Sequence, residues 1–137
     1  MNIGLGDRRR TILLIDADPH ARKSLRLALE AAGFSVGEAA NAHEGQRTLQ
    51  RITPHAILAE LMIDAADHGM TLPERLHAQG STIPYYILSA GSEALMGAIG
   101  LHELGVAGVF LKPVDAAIVV QALRTRLALR QMDAADA

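Results

Sequence analysis

Short apolar runs alternate along this chain with segments of helical periodicity, and this alternation limits the folds open to it. Thr11 to Ile15 (TILLI) is a short apolar run with β-branched residues, which is typical of a strand buried on both faces. Asp18 and Pro19 follow as a helix cap and a first helical residue, and apolar residues then recur at helical spacing up to Gly33. This stretch predicts one strand followed by one helix.

The same pattern recurs four more times along the chain. The later predicted strands cover residues 34–39, 56–61, 85–89 and 106–111. The later predicted helices run from the cap Asn41 to Arg51, from Leu72 to Gln79, from Glu93 to Leu104, and onward from Pro113, with an apolar stripe at Ala116, Val120, Leu123 and Leu127. Because parallel neighbours need crossover helices, five such units predict an open, doubly wound α/β fold with a five-stranded parallel sheet.

Length and composition favour a single folded domain. The chain has 137 residues, of which 50% are hydrophobic and 20% charged, so it can bury a core. We expect a flexible leader over residues 1–9, a domain over 10–131 and a flexible tail over 132–137. The 13 Lys and Arg against 15 Asp and Glu give a net charge of −2, which argues against nucleic-acid binding.

Several classes of site are missing from the sequence. It has no cysteine, which excludes disulfides and thiolate chemistry. It has no P-loop, nucleophile elbow or HExxH motif, and its six histidines form no pair at metal-ligand spacing. No apolar run is long enough to cross a bilayer, and no secretory signal is present. We therefore expect a cytoplasmic protein that is not an enzyme and does not contact a membrane.

Polar residues stand at the predicted strand ends, where open α/β sheets bind their ligands. Asp16 follows the first strand, Glu60 ends the third, Ser89 ends the fourth and Lys112 follows the fifth. Ser89 is equally consistent with a helix cap, and Lys112 with a solvated lysine. Glu60 lies inside an apolar run, where a charge is costly unless it is paired, so we interpret it as functional.

Four segments in this order resemble the receiver domain of two-component response regulators: ILLIDADPHAR, PHAILAELMI, YYILSA and GVAGVFLKPV. The resemblance extends from about Arg10 to Arg130. It implies the flavodoxin-like, CheY-like fold with strand order 2-1-3-4-5. It also implies phosphoryl transfer from a histidine kinase to an Asp at the end of the third strand, with two acids after the first strand helping that Asp to hold Mg²⁺.

Part of the family's pocket matches residue by residue. The resemblance makes Asp16 the first of the two acids and Ser89 the hydroxyl that donates to the phosphoryl group. It makes Lys112, followed by Pro113, the lysine that pairs with the anion. These residues are expected to form a receiver pocket.

Two positions depart from the family pattern. Ala17 stands where the family has its second acid, and Glu60 stands where it has the acceptor Asp. Only Asp16 then remains as a clear metal ligand, so we expect Mg²⁺ binding to be weak or absent and no other cofactor. We interpret the chain as a pseudo-receiver in which Glu60 forms a constitutive ion pair with Lys112.

The family's switch aromatic is also absent at its usual position. Val109 stands three residues before the lysine, and Phe110 points to the opposite side of the strand by the period of two. Ser89 and Val109 are therefore the switch-equivalent residues.

In the family, the fourth helix, fifth strand and fifth helix bind effectors or a second copy. The predicted fourth helix carries surplus apolar residues, and from them we predict an interaction face at Leu95, Met96, Ile99 and Leu101. The expected function is a stand-alone adaptor that contacts a histidine kinase, an effector or itself without Asp phosphorylation.

Two alternatives stay open. One is a metal-dependent phosphoacceptor that uses Glu60 or Asp64, with Asp16 and Asp18 rebuilding the metal site. The other is a dimerisation module of a longer regulator.

Overall fold

The computed structural model describes residues 9–60, 71–90 and 106–136. Its strands are β1 (Thr11–Ile15), β2 (Ser35–Ala39), β3 (Ala56–Glu60), β4 (Tyr85–Ser89) and β5 (Gly108–Leu111). The helices of the described residues are α1 (Pro19–Ala31), α2 (Ala42–Leu49), α3 (Leu72–Ala78) and α4 (Ala116–Asp136). The predicted helix at residues 93–104 lies outside the described residues.

The five strands form one parallel sheet in the order β2-β1-β3-β4-β5. β1 lies between β2 and β3, so Ile15 is level with Ala39 on one side and Ala59 on the other. On the far side of β3, Glu60 is level with Leu88 of β4. The predicted fold class and strand order are confirmed.

Apolar layers cover both faces of the sheet, and β1 contributes to each. Ile12 and Leu14 pack in the cluster that includes α1 and α4. Leu13 and Ile15 point the other way, into the cluster that includes residues of α2 and α3. All four are 0% exposed, as expected for a central parallel strand with helices on both faces.

The helix ends follow local side-chain chemistry. Asp18 Oδ1 accepts a hydrogen bond from the His20 amide at 2.9 Å, and Asn41 Oδ1 accepts one from the Glu44 amide at 2.9 Å. Gly33 adopts a φ of 100° directly after α1, a conformation that favours glycine. The predicted caps and the predicted stop of the first helix are confirmed.

Phe34 and Pro113 mark two predicted boundaries that are wrong. The Phe34 amide donates to the Leu29 carbonyl at 3.1 Å and so belongs to the turn that ends α1 rather than to β2. Pro113 follows a cis peptide bond and lies outside the last helix. That helix begins at Ala116, because Asp115 Oδ1 caps it by accepting from the backbone amide two residues later.

The last helix runs beyond the residue at which we expect the domain to end. α4 continues to Asp136, so residues 132–136, which belong to the expected flexible tail, are helical. Ala and Met in this stretch are strong helix formers and need no apolar stripe to extend a helix. Along the predicted stripe, Leu123 and Leu127 are buried together with Val119, while Ala116 and Val120 are partly buried against the same cluster.

We predict that Gly45→Ala destabilises the fold although alanine is the better helix former. A Cβ atom at Gly45 would lie 2.6 Å from Ile15 Cδ1, because α2 packs closely against β1 at this point. Ile15 is 0% exposed and has little room to move. Overpacking should outweigh the gain in helix propensity and lower the free energy of unfolding by about 1 to 2 kcal/mol in urea denaturation.

Ile15→Val provides the control for this collision, since it removes the Cδ1 atom. Alone it should cost about 1 kcal/mol through the lost methyl group. Combined with Gly45→Ala it should cost less than the sum of the two single changes. Strictly additive losses would contradict the close-approach explanation.

Candidate functional site

The carboxyl edge of the sheet gathers the polar residues singled out in the sequence. Asp16 follows β1, Glu60 ends β3, Ser89 ends β4 and Lys112 follows β5. Because β1, β3, β4 and β5 are consecutive parallel neighbours, their carboxyl ends lie side by side. The sheet order therefore brings residues that are distant in the sequence to one rim.

Lys112 reaches across this rim to two carboxylates. Its Nζ lies 2.9 Å from Glu60 Oε2 and 3.1 Å from Asp16 Oδ2. The exposed side-chain fractions are 3% for Asp16, 19% for Glu60 and 25% for Lys112, so the ammonium is largely sheltered between the two acids. The ion pair that the sequence predicted between Glu60 and Lys112 is present in the structure.

Backbone amides bind the remaining carboxylate oxygens. The Asp18 amide donates to Asp16 Oδ1 at 2.9 Å, and the Ala17 amide donates to Glu60 Oε1 at 3.2 Å. All four oxygens of the two carboxylates thus accept a hydrogen bond from the protein. The turn after β1 and the end of β3 are joined by these bonds.

The environment favours the charged forms of Glu60 and Lys112. Burial acts to raise the pKa of Glu60, but the hydrogen bonds from Lys112 and the Ala17 amide, with the charge of Lys112, lower it below its ordinary value. Burial acts to lower the pKa of Lys112, but the hydrogen bonds to Glu60 and Asp16 raise it above its ordinary value. Both groups remain ionised at neutral pH.

Arg22 supports this site and was missed by the sequence analysis. Its NH1 group donates to the Asp16 carbonyl at 2.7 Å, and its Nε donates to Glu38 Oε1 at 3.2 Å. The Asp16 amide donates to the Ala39 carbonyl at 3.1 Å, which extends the β1–β2 ladder into the turn. The available signal was helical spacing, because Arg22 lies one turn after the cap Asp18 and so lies near the end of β1.

Ser89 is held beside Lys112 through the backbone rather than through its hydroxyl. Its carbonyl accepts from the Lys112 amide at 2.6 Å. Its Oγ is buried, with the residue 1% exposed, and has no hydrogen-bond partner among the described residues. The hydroxyl therefore stands apart from the carboxylate and ammonium network.

The other predicted site residues lie around this network. Ala17 and Pro113 are exposed. Val109 packs on the side of the sheet that carries α2 and α3, whereas Phe110 stacks on Tyr86 on the opposite side, with ring centroids 5.3 Å apart. The remaining predicted positions lie outside the described residues: Asp64, Leu95, Met96, Ile99 and Leu101.

Within residues 9–60, 71–90 and 106–136, no three His, Asp or Glu side chains come together in a way that would hold a metal ion. In that same part of the chain, no helix combines the length and the apolar character needed to cross a membrane.

Comparison with known proteins places this geometry in a family. Residues 12–124 match the family model of the response regulator receiver domain. Over 112 residues the chain is 33% identical to the transcriptional regulatory protein GlrR of Escherichia coli K12, covering 82% of this chain and 25% of GlrR. It is 31% identical over 124 residues to the transcriptional regulator RpaA of Synechocystis, covering 89% of this chain and 50% of RpaA.

The chain thus spans a quarter to a half of the length of these two curated relatives. A solved structure with the same fold is a CheY-like receiver domain protein from Methanospirillum hungatei, with a TM-score of 0.80 and 20% identity over 91% of this chain and 98% of that one. On the strength of the family match across most of its length, this chain belongs to the response regulator receiver domains of two-component signalling.

Proposed function

We propose that this chain is an atypical receiver domain that signals through protein contacts without phosphorylation of a carboxylate. Receiver domains are signalling modules and are generally not enzymes themselves. They act by interacting with kinases and effectors. The observation that carries the proposal is the position of Lys112, bound at 2.9 Å to a glutamate at the end of β3. In the family resemblance, this is the place of the acceptor Asp.

The hydrogen bonds of Glu60 oppose its use as a phosphoacceptor. One oxygen is bound by Lys112 and the other by the Ala17 amide. A carboxylate oxygen that attacks a phosphoryl group must give up part of this stabilisation. The longer glutamate side chain also displaces the attacking oxygen by one methylene from the place of an aspartate oxygen, and positioning supplies most of the catalysis in this reaction.

The residues present do not fit the Mg²⁺ of the family. Mg²⁺ needs oxygen ligands in near-octahedral geometry, and Ala17 offers no side-chain oxygen where the resemblance places the second acid. Both oxygens of Asp16 are bound, one by the Asp18 amide and one by Lys112. We infer that the cation is not held here, so a developing phosphoryl charge has only Lys112 to neutralise it.

We infer further that Glu60 imitates part of a phosphoryl group. It pairs with Lys112, as a bound anion does in the family resemblance. Among the described residues the Ser89 hydroxyl has no hydrogen bond, from Glu60 or any other group, whereas a phosphoryl oxygen is expected to accept from that hydroxyl. We therefore propose that the pocket stays in one state. In that state Lys112 is paired with Glu60, and the Ser89 hydroxyl does not bind an anion.

The partners of such an adaptor are proposed by class. GlrR and RpaA are named as transcriptional regulators, and both are longer than this chain. The proposed partner is a kinase, an effector or a second copy of this chain. The interaction face at Leu95, Met96, Ile99 and Leu101 stays a prediction.

Incubation with acetyl phosphate and Mg²⁺ tests the proposal. We expect the wild-type chain and Glu60→Asp to gain no phosphoryl mass, because the second acid is missing in both. We expect Glu60→Asp combined with Ala17→Asp to gain one phosphoryl group, since it restores both the acceptor and the metal ligand. Intact-protein mass spectrometry measures the outcome.

The double variant is also the positive control for folding and for the reagent. A stable acyl phosphate on the wild-type chain would overturn the proposal. Labelling of Glu60→Asp alone would show that the missing acid at Ala17 does not decide the outcome.

The Glu60–Lys112 pair should make stability depend on pH in a defined window. Because the folded-state pKa of Glu60 is lowered, its contribution is complete above the ordinary value of 4.5 and is lost as the pH falls through the lowered value. Because the pKa of Lys112 is raised, its contribution is complete below the ordinary value of 10.5 and is lost as the pH rises through the raised value. At neutral pH both contributions are present.

Glu60→Gln should therefore lower the free energy of unfolding by about 1 to 2 kcal/mol at pH 7. The difference from wild type should shrink as the pH falls below 4.5. Glu30→Gln is the matched control, because Glu30 makes an exposed ion pair with Arg26 one helical turn away. It should cost less than about 0.5 kcal/mol. A pH-independent loss for Glu60→Gln would contradict the ion-pair explanation.

Ser89→Ala should leave stability unchanged or raise it by up to about 1 kcal/mol, because the buried hydroxyl it removes has no partner among the described residues. In the Glu60→Asp, Ala17→Asp background the same change should reduce phosphorylation, since the hydroxyl then has a phosphoryl oxygen to bind. Urea denaturation and mass spectrometry measure the two effects. A clear loss of stability in the wild-type background would mean that the hydroxyl is bonded.

A further inference from the structure

We propose that the pocket between α2 and α3 binds a small organic anion, with the charged head held by Arg47 and Gln46 and an apolar body on a floor of leucines. The pocket has a volume of about 270 Å³. That is just below the range for small-molecule sites, about 300 to 1,000 Å³, and suits a small ligand. None of its lining residues belongs to the Lys112 network, so this is a second site.

The ionisable side chains that line the described part of the pocket wall are all basic residues. Arg47 and His43 line it from α2, and Arg75 lines it from α3. Among the described residues that line the pocket, none is Asp or Glu. Arg47 has no carboxylate partner within the part of the chain that the structure describes. A wall of this composition favours a ligand with carboxylate or phosphate oxygens.

The acids on the same two helices are engaged elsewhere. Glu44 Oε2 accepts from the Ala40 amide at 2.6 Å and so caps the start of α2. Glu74 Oε1 accepts from the Thr71 hydroxyl at 2.8 Å and takes part in the capping box of α3. Both carboxylates are used at the helix starts, so neither pairs with Arg47.

Gln46 adds a second and independent indication. Its Nε2 atom is enclosed, and no acceptor among the described residues binds it. A buried donor without an acceptor costs free energy, and turning the amide toward a ligand oxygen in the pocket would remove that cost. Gln46 and Arg47 both line the pocket, so the turned amide and the guanidinium can donate to one anionic head.

The floor of the pocket is apolar, which favours a ligand whose anionic head is attached to an apolar body. Leu49, Leu72 and Leu76 line it. Leu72 is 0% exposed and closes the floor from beneath, whereas Leu49 and Leu76 pack against the core and stay partly exposed. An inorganic anion leaves the exposed parts of Leu49 and Leu76 uncovered, whereas an organic anion covers them and gains from their burial.

The test uses phenyl phosphate as the probe, titrated into the full chain and followed by amide chemical shifts. We expect saturable shifts in α2 and α3, weaker binding of inorganic phosphate, and no saturable binding of benzyl alcohol. Arg47→Gln and Gln46→Leu should each raise the Kd about tenfold, since each removes a donor to the anion. Arg51→Gln is the matched control, because Arg51 is an exposed arginine just beyond α2 that does not line the pocket.

Arg51→Gln should leave the Kd within about twofold, as expected for a screened surface charge. Equal weakening by Arg47→Gln and Arg51→Gln would show nonspecific attraction and overturn the proposal. Shifts confined to the residues around Lys112 would overturn it as well, because they would place the phosphate at the first site. If phenyl phosphate caused no saturable shifts in the wild-type chain and left its thermal stability unchanged, the proposal would also be overturned.

Discussion

One ammonium group held between two carboxylates is the interaction on which this site depends. Lys112 donates to Asp16 and to Glu60, and the three side chains are largely removed from solvent. Charges taken out of water are costly unless they are paired and fully hydrogen-bonded. Here the backbone amides of Ala17 and Asp18 bind the remaining carboxylate oxygens, so every carboxylate oxygen of the cluster accepts a hydrogen bond.

The fold and the cluster constrain each other. Glu60 can reach Lys112 and the Ala17 amide because β3 lies between β1 and β4, with β5 next along the sheet. In return, the hydrogen bonds tie the turn after β1 to the end of β3, and Arg22 fixes the same turn from α1. A receiver that switches needs a pocket that changes its contacts when an anion arrives. In this chain a side chain already makes the lysine contact, which is why we propose that it signals through protein contacts rather than through phosphorylation.

The sequence predicted features that depend on neighbours along the chain. Asp18, Asn41 and Gly33 act within one helical turn of themselves, and their roles as caps and stop were predictable for that reason. The start of the last helix was not, since Asp115 rather than Pro113 provides its cap. Gly45 gave no signal at all, because its role is to let α2 approach Ile15, a contact between separate elements.

Residue order alone determined the alternation of strands and helices and the polar residues at the strand ends. It also determined that Ala17 and Glu60 stand where the family resemblance implies a second acid and the acceptor Asp. These follow from apolar periodicity and residue identity, which need no distant contact. Only the tertiary structure decided that Lys112 meets Asp16, 96 residues away, and that Glu60 binds the Ala17 amide. It also decided that the Ser89 hydroxyl finds no partner in the part of the chain that is described. The physical reason is that hydrogen bonds act over about 3 Å, so a difference of one methylene or one rotamer determines which groups are paired.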